Sequence, residues 1–543
     1  MPLLNRRILR QSLARLSPAE MRAVLRDRLV PVAILPDLTL YAAQDEAARA
    51  GAEARGLKVV ARLESHAFLA EVHHLWGRRL MAQAANGLRR RQPHFSAFHR
   101  FAPDQLGAMA GGLVLALLAL LLLPQPLRLP TASLALGGFF MAVVGLRILA
   151  LLPDKAAVPA PPLAQADLPT YSVLVALFRE TSVLDQLLQA LAALDYPADR
   201  LDIKLILEES DLPMQQALAQ RPLPAHMEVI VAPSGTPQTK PRALCYALPF
   251  ARGELLTIYD AEDVPEPQQL RQAAAAFAAA PPELACLQAR LAFYNPNENW
   301  LTRQFTIEYG VLFGLLLPAL ARLGLPLPLG GTSNHFRVAA LAHVGGWDPY
   351  NVTEDADLGL RLARIGYDTD VLPGVTYEEA NSRLGNWLKQ RARWLKGFLQ
   401  TWLVHMREPA MLRRQLGWPG FITVQALFLG MLVSGLFHPF FMVAGLWLLA
   451  HADMTTPFAT SAGPLVGGLA LAIFVAGHGV SMLAGHVALR QTGIRRWPFA
   501  IATMPVYWLL ISLAAWLALW QFARAPFHWN KTEHGLSRFQ RRR

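Results

Sequence analysis

The chain has 543 residues, enough for about three or four domain-sized units. Apolar residues make up 53% of it and charged residues only 17%, against about 25% charged in an average soluble protein. This balance argues against a wholly soluble protein and excludes a disordered chain. The net charge of +12 fits basic faces beside a membrane. The two cysteines, without a CxxC pair, argue against a disulfide framework or a thiolate metal site.

Two early apolar runs predict membrane helices within residues 103–152. Residues 106–123 carry no charge, and residues 132–152 carry one, Arg147, near their end. Each run is long enough to span a hydrocarbon core of ~30 Å. The proline-rich residues 125–130 predict a tight hairpin between them. Residues 1–102 are rich in arginine and lack a signal-peptide pattern, so they predict a cytosolic N-terminal domain.

Later apolar runs predict about four C-terminal membrane helices within residues 411–525. The second run is short, and Pro439 separates it from the first. Four crossings would place Arg490 and Arg495 outside and the basic tail, residues 526–543, inside. Because the tail carries more charge, we place it in the cytoplasm, and the late helix count stays open by one. The four runs are residues 421–436, 439–450, 465–489 and 499–522.

The polar region between the two groups of helices follows an even number of crossings, so we expect it in the cytoplasm. A linker rich in proline and alanine, residues 153–170, opens it. Strand-like apolar runs then alternate with helical patterns within residues 171–410. This alternation predicts a parallel, doubly wound α/β sheet. The predicted strands are residues 171–177, 201–207, 227–231 and 254–259.

Acidic side chains follow three of these strands at their carboxyl ends, where doubly wound sheets bind ligands. Hard cations such as Mg²⁺ and Mn²⁺ prefer carboxylate oxygens, and adjacent carboxylates repel unless a cation or a basic group neutralises them. The acids after the fourth strand are therefore candidate metal ligands. Alternatively, two of them only begin a turn before Pro265. The acids are Glu180, then Glu208 and Glu209, then Asp260, Glu262 and Asp263.

Two further motifs lie downstream. Thr353, Glu354 and Asp355 precede a helical run at residues 358–365; taken alone, they are best interpreted as a helix cap with acids in the first turn. Gln390, Arg393 and Trp394 share one helical face through i, i+3, i+4 spacing. Their segment is basic and rich in tryptophan, which is also typical of a helix lying in the membrane interface. The apolar residues 305–321 predict a second interface helix that does not cross.

Taken in order, these motifs resemble those of the processive family-2 glycosyltransferases, which include cellulose, hyaluronan and chitin synthases. The resemblance covers about residues 171–406 and extends more loosely into the membrane helices. It implies a GT-A fold that moves a sugar from a nucleotide sugar to a growing glycan with inversion. It also implies a Mg²⁺ or Mn²⁺ cofactor and coupling to polysaccharide synthesis and export across the bacterial inner membrane, with the catalytic domain in the cytoplasm.

Carried over position by position, the resemblance makes Asp355 the general base. Asp260 matches the first acid of the family's DxD motif; the second is Glu262 by direct alignment, with Asp263 as the alternative. The donor side would also include Glu180, Glu208 or Glu209, Lys240 and Arg242. The acceptor and diphosphate side would include Thr353, Glu354, Gln390, Arg393 and Trp394. Residues 330–334 look like the loop under the acceptor, where Ser333 and Asn334 could bond sugar hydroxyls.

The implied partners are a nucleotide sugar, a UDP-sugar in the first place, a glycan acceptor, the lipid bilayer and a periplasmic or outer-membrane export partner. Nucleic acid is not expected, because the arginines cluster beside the membrane runs. Residues 527–535 resemble a C-terminal element of a bacterial subgroup that includes the inner-membrane protein named for bacteriophage adsorption, protein B. Residues 20–80 weakly resemble the N-terminal domain of type II secretion ATPases, some of which bind cyclic di-GMP.

Two other functions stay open at this point. One is transfer of a single sugar to a polyprenyl phosphate, against which the Gln390, Arg393 and Trp394 motif argues. The other is a non-catalytic scaffold or receptor-complex subunit, against which the intact Asp260 and Asp355 argue.

Overall fold

The computed structural model describes residues 1–152, 160–450, 464–494, 497–525 and residue 535. Residues 153–159 of the predicted linker, Arg495, Arg496 and all of the predicted tail except Gly535 lie outside the described residues.

The N-terminal domain packs a three-stranded sheet beside one long helix. Strands β1 and β2 form an antiparallel hairpin, and β3 adds to β2 in parallel. A capping box closes the start of α2, where Ser17 and Glu20 exchange side-chain to backbone hydrogen bonds. The elements are α1 (Arg6–Arg15), α2 (Pro18–Asp27), β1 (Leu29–Leu35), β2 (Leu38–Ala43), α3 (Glu46–Ala54), β3 (Lys58–Arg62) and α4 (Ser65–Arg91).

The buried face of α4 joins the N-terminal domain to the domain that follows the first membrane helices. Trp76, Leu80 and Met81 of α4 belong to the same apolar cluster as Leu174 and Ile206 of the central sheet. Two ion pairs also tie the domains together: Arg28 lies 2.8 Å from Glu228 in a buried pair, and the more exposed Arg252 lies 2.7 Å from Asp45. The two domains therefore share one core.

Two helices follow, α5 (Gln105–Leu122) and α6 (Gln125–Leu151). Residues 125–130, predicted as a hairpin, instead form the first turns of α6, because proline is tolerated at the start of a helix. The connection is only Leu123 and Pro124. Helix α5 is apolar and almost wholly exposed, with 6% of its residues buried.

The first half of the central domain is a parallel sheet, as predicted. Strands β6, β5, β4 and β7 lie side by side in that order and in parallel. All eight residues of β5 are buried, which is typical of strands covered on both faces. The elements are β4 (Tyr171–Leu177), α7 (Leu184–Ala192), β5 (Leu201–Glu208), α8 (Leu212–Ala219), β6 (Met227–Ala232), α9 (Lys240–Ala247) and β7 (Leu255–Tyr259).

The second half of the sheet is mixed rather than parallel, so the prediction of a purely parallel sheet is corrected here. The next strands in space continue the order β10, β9, β11 and β8; β10 is antiparallel to both β7 and β9, while β11 is parallel to β9. The elements are β8 (Val264–Pro265), α10 (Gln269–Ala279), β9 (Leu284–Phe293), α11 (Trp300–Val311), α12 (Leu317–Arg322), β10 (Asn334–Arg337), α13 (Val338–His343), α14 (Glu354–Ile365) and β11 (Asp368–Glu378).

Helices α11 and α12 form one apolar rod through a π-helical turn at Leu312–Leu316. By length and composition alone this rod could cross a membrane. However, the strands before and after it, β9 and β10, are hydrogen-bonded neighbours in one sheet. A single rod cannot cross a bilayer when both of its ends return to the same sheet, so α11 and α12 lie against the central domain.

The late helices number fewer than the four apolar runs suggested. Residues 421–436 and 439–450 belong to one helical rod that kinks at Gly417 and contains Pro439, which membrane helices tolerate. Among the described residues, five helices are long and apolar enough to cross a membrane; α5 and α11–α12 are two of them, and the other three lie in this late part of the chain. The elements are α15 (Leu384–His405), α16 (Pro409–Val424), α17 (Met431–Ala450), α18 (Pro464–Gln491), α19 (Pro498–Ala502) and α20 (Met504–Arg524), with a π-helical turn at Gln425–Gly430 between α16 and α17.

Both ends of α20 contact residues that lie outside the late helices. At its start, Trp300 of α11 donates a hydrogen bond to Thr503 at 2.8 Å. At its end, Arg100 donates one to the carbonyl of Ala523 at 3.0 Å. Between these points α20 packs along α15, through residues such as Ala514 and Ala518.

Candidate functional site

The carboxyl ends of the central strands open into a pocket of about 230 Å³. Elements from three separate parts of the chain line it: the ends of β4, β5 and β7, the start of α14, and one face of α15. Most of the predicted site residues meet there although they are far apart in sequence. Those lining the pocket are Glu180, Glu208, Lys240, Asp260, Glu262, Thr353, Glu354, Asp355, Gln390, Arg393 and Trp394.

Asp260 directly follows β7 and lines the pocket. The ammonium of Lys240, at the start of α9, donates hydrogen bonds to Asp260 and to the carbonyl of Gly331 at 2.7 Å. Burial acts against the charged ammonium, but the negative charges of Asp260 and Glu354 outweigh it and raise the pKa of Lys240 above its usual value. Lys240 therefore stays charged and places a cation between two walls of the pocket.

Asp263 does not line the pocket. Its carboxylate accepts hydrogen bonds from the backbone N–H of Asp260 at 2.7 Å and from the hydroxyl of Thr332. Burial, with the nearby charges of Asp260 and Glu262, raises the pKa of Asp263 well above its usual range. Of the two alternatives for the second acid, Glu262 faces the pocket, while Asp263 shapes the turn that presents Asp260.

The acids of the pocket are possible ligands for a divalent cation. Among the described residues, no three His, Cys, Asp or Glu side chains are grouped as a metal site. Asp260 and Glu262 both line the pocket, and a third acid, Glu378, lines it at the end of β11. Burial, followed by the charges of Asp263, Glu262 and Asp260, raises the pKa of Glu378 well above its usual range. Such crowded carboxylates fit a cation whose remaining ligands come from phosphate oxygens and water.

Glu208 ends β5 beneath the pocket and is held by an arginine of the protein itself. Arg242 Nη2 donates to both carboxylate oxygens of Glu208, at 2.8 and 2.6 Å. The Arg242 side chain is fully buried, and Arg242 is not among the residues that line the pocket. Glu209 points elsewhere and accepts a hydrogen bond from the backbone N–H of Ser234 at 2.9 Å. Arg242 and Glu209, both predicted on the donor side, thus lie outside the pocket lining and contact other residues of the protein.

Asp355 lies in the first turn of α14 and faces the pocket. Its Oδ1 accepts a hydrogen bond from the backbone N–H of Ala356 at 2.8 Å. Thr353 stands at the cap position of α14, but its side chain makes no capping hydrogen bond. Instead its hydroxyl lies 3.4 Å from that of Thr401 on α15. The capping interpretation of this tripeptide is therefore wrong for Thr353, which instead links α14 to α15.

Burial raises the pKa of Asp355 to about 6, against the opposing charges of Lys240 and Arg393. Burial, and then the charge of Asp355, raises the pKa of the adjacent Glu354 further. Two neighbouring acids in a dry site cannot both ionise at little cost. At neutral pH the pair therefore carries one negative charge, on Asp355.

Gln390, Arg393 and Trp394 project from α15 into the pocket, as their helical spacing predicts. Gln390 accepts a hydrogen bond from the Asn381 side chain at 2.9 Å. The acids Glu354, Asp355 and Asp260 attract the Arg393 guanidinium, although burial lowers its pKa. Trp394 stacks on Tyr309 of α11, with ring centroids 6.3 Å apart and an interplanar angle of 26°. An aromatic wall of this kind suits a sugar ring.

Several pocket residues were missed in the sequence. Glu378 could have been found by the rule that located Asp260, since it ends a strand of the same sheet. Tyr309 and Phe313 lie on the apolar rod, and nothing in their spacing indicates a site. In the loop at residues 330–334, Ser333 donates to Thr376 at 2.7 Å and Asn334 to the Gly330 carbonyl at 2.6 Å. Both side chains are buried and serve the loop itself.

Comparison with known proteins adds a family to this geometry. The family described as glycosyl transferase family group 2 matches residues 255–527. The family described as glycosyl transferase family 2 matches residues 172–337. The two matches together cover the central domain and the late helices.

Curated relatives are 27% and 28% identical to the chain over the residues that align. The β-monoglucosyldiacylglycerol synthase of Synechocystis sp. is 27% identical over 299 residues, which are 53% of this chain and 61% of that protein. Cellulose synthase 2 of Novacetimonas hansenii is 28% identical over 261 residues, 46% of this chain and 15% of that protein. The chain thus spans less than two thirds of the length of these relatives.

Among solved structures, the mannosyltransferase PcManGT of Pyrobaculum calidifontis, in complex with GDP-Man and Mn²⁺, aligns with 73% of this chain and 99% of its own. The TM-score is 0.47 and the identity 18%.

Proposed function

The chain belongs to glycosyl transferase family group 2, and from this membership we propose that it moves a hexose from a nucleotide sugar to an acceptor hydroxyl with inversion at the anomeric carbon. One observation carries the proposal. Asp355, whose pKa is raised to about 6 by burial, lines the same pocket as Lys240, Asp260 and Arg393. The pocket thus combines a general base, a second carboxylate and two cationic side chains. These groups suit a reaction that removes a proton and releases a diphosphate.

In this mechanism Asp355 accepts the proton of the acceptor hydroxyl as its oxygen attacks the anomeric carbon. The bond from that carbon to the diphosphate oxygen breaks as the new glycosidic bond forms. One displacement inverts the anomeric configuration, and no sugar becomes attached to the protein. Lys240 and Arg393 stabilise the negative charge on the departing diphosphate.

Asp260 and Glu262 would hold the Mg²⁺ or Mn²⁺ ion, because their carboxylates line the pocket and Asp263 is engaged beneath it. When bound, such an ion supplies Lewis-acid stabilisation of the leaving diphosphate. Glu180 and Glu208 line the donor side of the pocket, and Thr353 and Gln390 the acceptor side. A UDP-sugar is the first donor to test.

A growing glycan is the first acceptor we propose, with synthesis coupled to export of the polysaccharide across the inner membrane. A glycolipid is the second. The acceptor side is bounded by Trp394, Phe398 and Phe313, on helices that pack against the membrane rods. Apolar walls of this kind would also accommodate the part of a lipid next to its acceptor hydroxyl. One relative is named as a β-monoglucosyldiacylglycerol synthase. Transfer to a polyprenyl phosphate belongs to the same lipid class.

The test is nucleotide release by the full-length protein in lipid nanodiscs with Mn²⁺ or Mg²⁺. UDP-, GDP- and ADP-sugars would be offered with short oligosaccharides, diacylglycerol or polyprenyl phosphate. We expect acceptor-dependent release from one donor, reduced by a factor of at least ~100 in Asp355→Asn. Matched release by Asp355→Asn and wild type would refute the role of Asp355. Absence of release in the folded wild-type protein across the panel would favour the non-catalytic scaffold instead.

For topology, we propose that the N-terminal domain, the central domain and the tail all lie in the cytoplasm of a bacterial inner-membrane protein. The contacts at both ends of α20 support this arrangement, because both join α20 to segments that we place in the cytoplasm. If α20 does not cross the membrane, Arg490 before it and the tail after it lie on the same side. Cysteines introduced at Arg490 and at Arg543 should both resist a membrane-impermeant thiol reagent added to intact spheroplasts. Labelling of only one of them would refute the arrangement.

We propose that residues 20–80 are related to the N-terminal domain of type II secretion ATPases, and that the tail at residues 527–535 relates the chain to the subgroup of bacteriophage adsorption protein B. A cyclic di-GMP site would follow from the first. Equilibrium dialysis of cyclic di-GMP with the full-length protein tests it, and no retention at micromolar nucleotide would remove that ligand.

A further inference from the structure

Arg391 lies within the motif that carries Gln390, Arg393 and Trp394, but it faces away from the pocket. Its two terminal nitrogens donate to the two oxygens of Glu308 on α11, at 2.7 and 2.6 Å. The hydroxyl of Tyr507 on α20 donates to the same carboxylate at 2.6 Å. Arg391 and Tyr507 are buried, with Arg391 6% exposed. One ion pair thus joins three helices: α11, α15 and α20.

The guanidinium of Arg391 also sits among aromatic rings. Its central carbon lies 4.3 Å from the ring centroid of Phe305 and 4.5 Å from that of Trp394. The ring of Trp387 is 5.5 Å away. Arginine stacks on aromatic faces while its planar fork binds a carboxylate in two places, which an ammonium cannot do. The side chain of Arg391 therefore fixes the position of Trp394 through both contacts.

Trp394 is the member of this set that reaches the pocket. There it stacks on Tyr309, the residue next to Glu308 on α11. The backbone of α11 thus carries the partner of Arg391 and the partner of Trp394 side by side. Any shift of α11 or α20 that loosened the ion pair would also move the aromatic wall on the acceptor side.

We propose that Glu308, Arg391 and Tyr507 are positioning residues that hold Trp394 for the acceptor. The inference rests on the proposed function, because it assigns the Trp394 wall to the acceptor. The three residues touch neither donor nor reacting atoms. Their loss therefore acts on the acceptor KM and leaves hydrolysis of the donor by water intact.

The first measurement reads position and needs no acceptor. The full-length protein in nanodiscs would be labelled with 5-fluorotryptophan, and the ¹⁹F signal of Trp394 identified by its loss in Trp394→Phe. Arg391→Lys, Glu308→Gln and Tyr507→Phe should each shift or broaden that signal, while the signal of Trp76 in the N-terminal domain stays unchanged. Lys389→Gln removes a charge from an exposed site on the same helix and should leave the Trp394 signal in place.

The second measurement separates acceptor from donor. In Arg391→Lys and Glu308→Gln the acceptor KM should rise by a factor of at least ~10, with the donor KM and the acceptor-free release of nucleotide within about twofold of wild type. The double variant should be no worse than either single one, since the pair acts as a unit. Tyr507→Phe, which keeps the ion pair, should have a smaller effect.

An unmoved Trp394 signal in Arg391→Lys would overturn the inference, whatever the activity. A shifted Trp394 signal with an unchanged acceptor KM would also overturn it. So would an equal loss of acceptor-dependent and acceptor-free nucleotide release accompanied by a lower Tm. A wild-type protein without any acceptor-dependent release would instead refute the proposed function, while the ¹⁹F result would still report on the positioning.

Discussion

The ammonium of Lys240 is hydrogen-bonded to the carboxylate of Asp260, the acid that the site offers to a divalent cation. Lys240 also reaches the carbonyl of Gly331 at 2.7 Å, so it spans the mouth of the cation site. A cation arriving at Asp260 meets this positive charge, and an arriving diphosphate gives Lys240 a new partner. The two ligands should therefore favour each other's binding.

Lys240→Met should move the two affinities in opposite directions. Removing the positive charge should tighten binding of Mn²⁺ to the protein alone several-fold, because like charges at contact disfavour each other. It should weaken binding of the nucleotide sugar by a factor of about 10, because a charge-assisted hydrogen bond is lost. Mn²⁺ titration by electron paramagnetic resonance and calorimetry with the donor measure the two effects. A fall in both affinities would contradict the proposed repulsion between Lys240 and the cation. Lys389→Met, which removes an exposed charge, is the control and should change neither affinity.

The pKa of Asp355 predicts the acid limb of the pH profile. Burial raises this pKa to about 6, so the base is protonated and inactive below that pH and ionised above it. The acceptor kcat/KM should therefore fall about tenfold per unit as the pH drops below ~6 and level off towards pH 7. Glu354→Gln should leave the limb in place, because Glu354 is the more readily protonated of the pair. A limb near pH 4 would contradict the assignment of Asp355.

Gly397 on α15 gives a steric test of how the base is held. A Cβ atom built on Gly397 would come within 2.5 Å of the Thr353 hydroxyl oxygen, two residues before Asp355. Gly397→Ala should therefore push α14 and α15 apart, lower kcat by a factor of at least ~10 and lower the Tm by several degrees. Gly385→Ala adds the same methyl group to the same helix where nothing lies within 4 Å, so it should leave both values unchanged. Equal effects of the two substitutions would refute the contact.

Asp263 and Glu262 can be distinguished as metal ligands. Because the carboxylate of Asp263 is engaged by Asp260 N–H and Thr332, Asp263→Asn should raise the Mn²⁺ concentration for half-maximal donor binding by no more than about tenfold. Asp260→Asn and Glu262→Gln should raise it more. Equilibrium binding of a fluorescent nucleotide across a Mn²⁺ series measures all three. The largest effect in Asp263→Asn would reverse the assignment.

Sequence patterns predicted the parts of the structure that depend on neighbours along the chain. The first four strands of the central sheet lie at the predicted positions, and the helical spacing of Gln390, Arg393 and Trp394 places them on one face. The prediction of a glycosyltransferase with this fold is confirmed by the family match.

What could not be predicted depends on partners distant in the sequence. Arg242 lies two residues after Lys240 in the sequence, which suggested a contact with the donor. Only the fold shows that Arg242 instead forms an ion pair with Glu208. Pro439 interrupts an apolar run, yet the surrounding rods keep its helix continuous. The antiparallel strand β10 has only four residues, too few to show the alternation of apolar and polar residues that would predict a strand.

The shared core of the N-terminal and central domains has a consequence for how this protein can be cut and how it can diverge. Trp76 and Met81 contact the same cluster as the central sheet, and Arg28 and Asp45 neutralise charges on its far edge. A chain started after residue 102 would expose that apolar face and remove one ion-pair partner each from Glu228 and Arg252, which would keep only Lys204 and Asp202. Such a truncation should aggregate rather than yield a minimal transferase. We therefore expect the N-terminal and central domains to evolve together. A substitution on one side of their shared interface should require a compensating substitution on the other side.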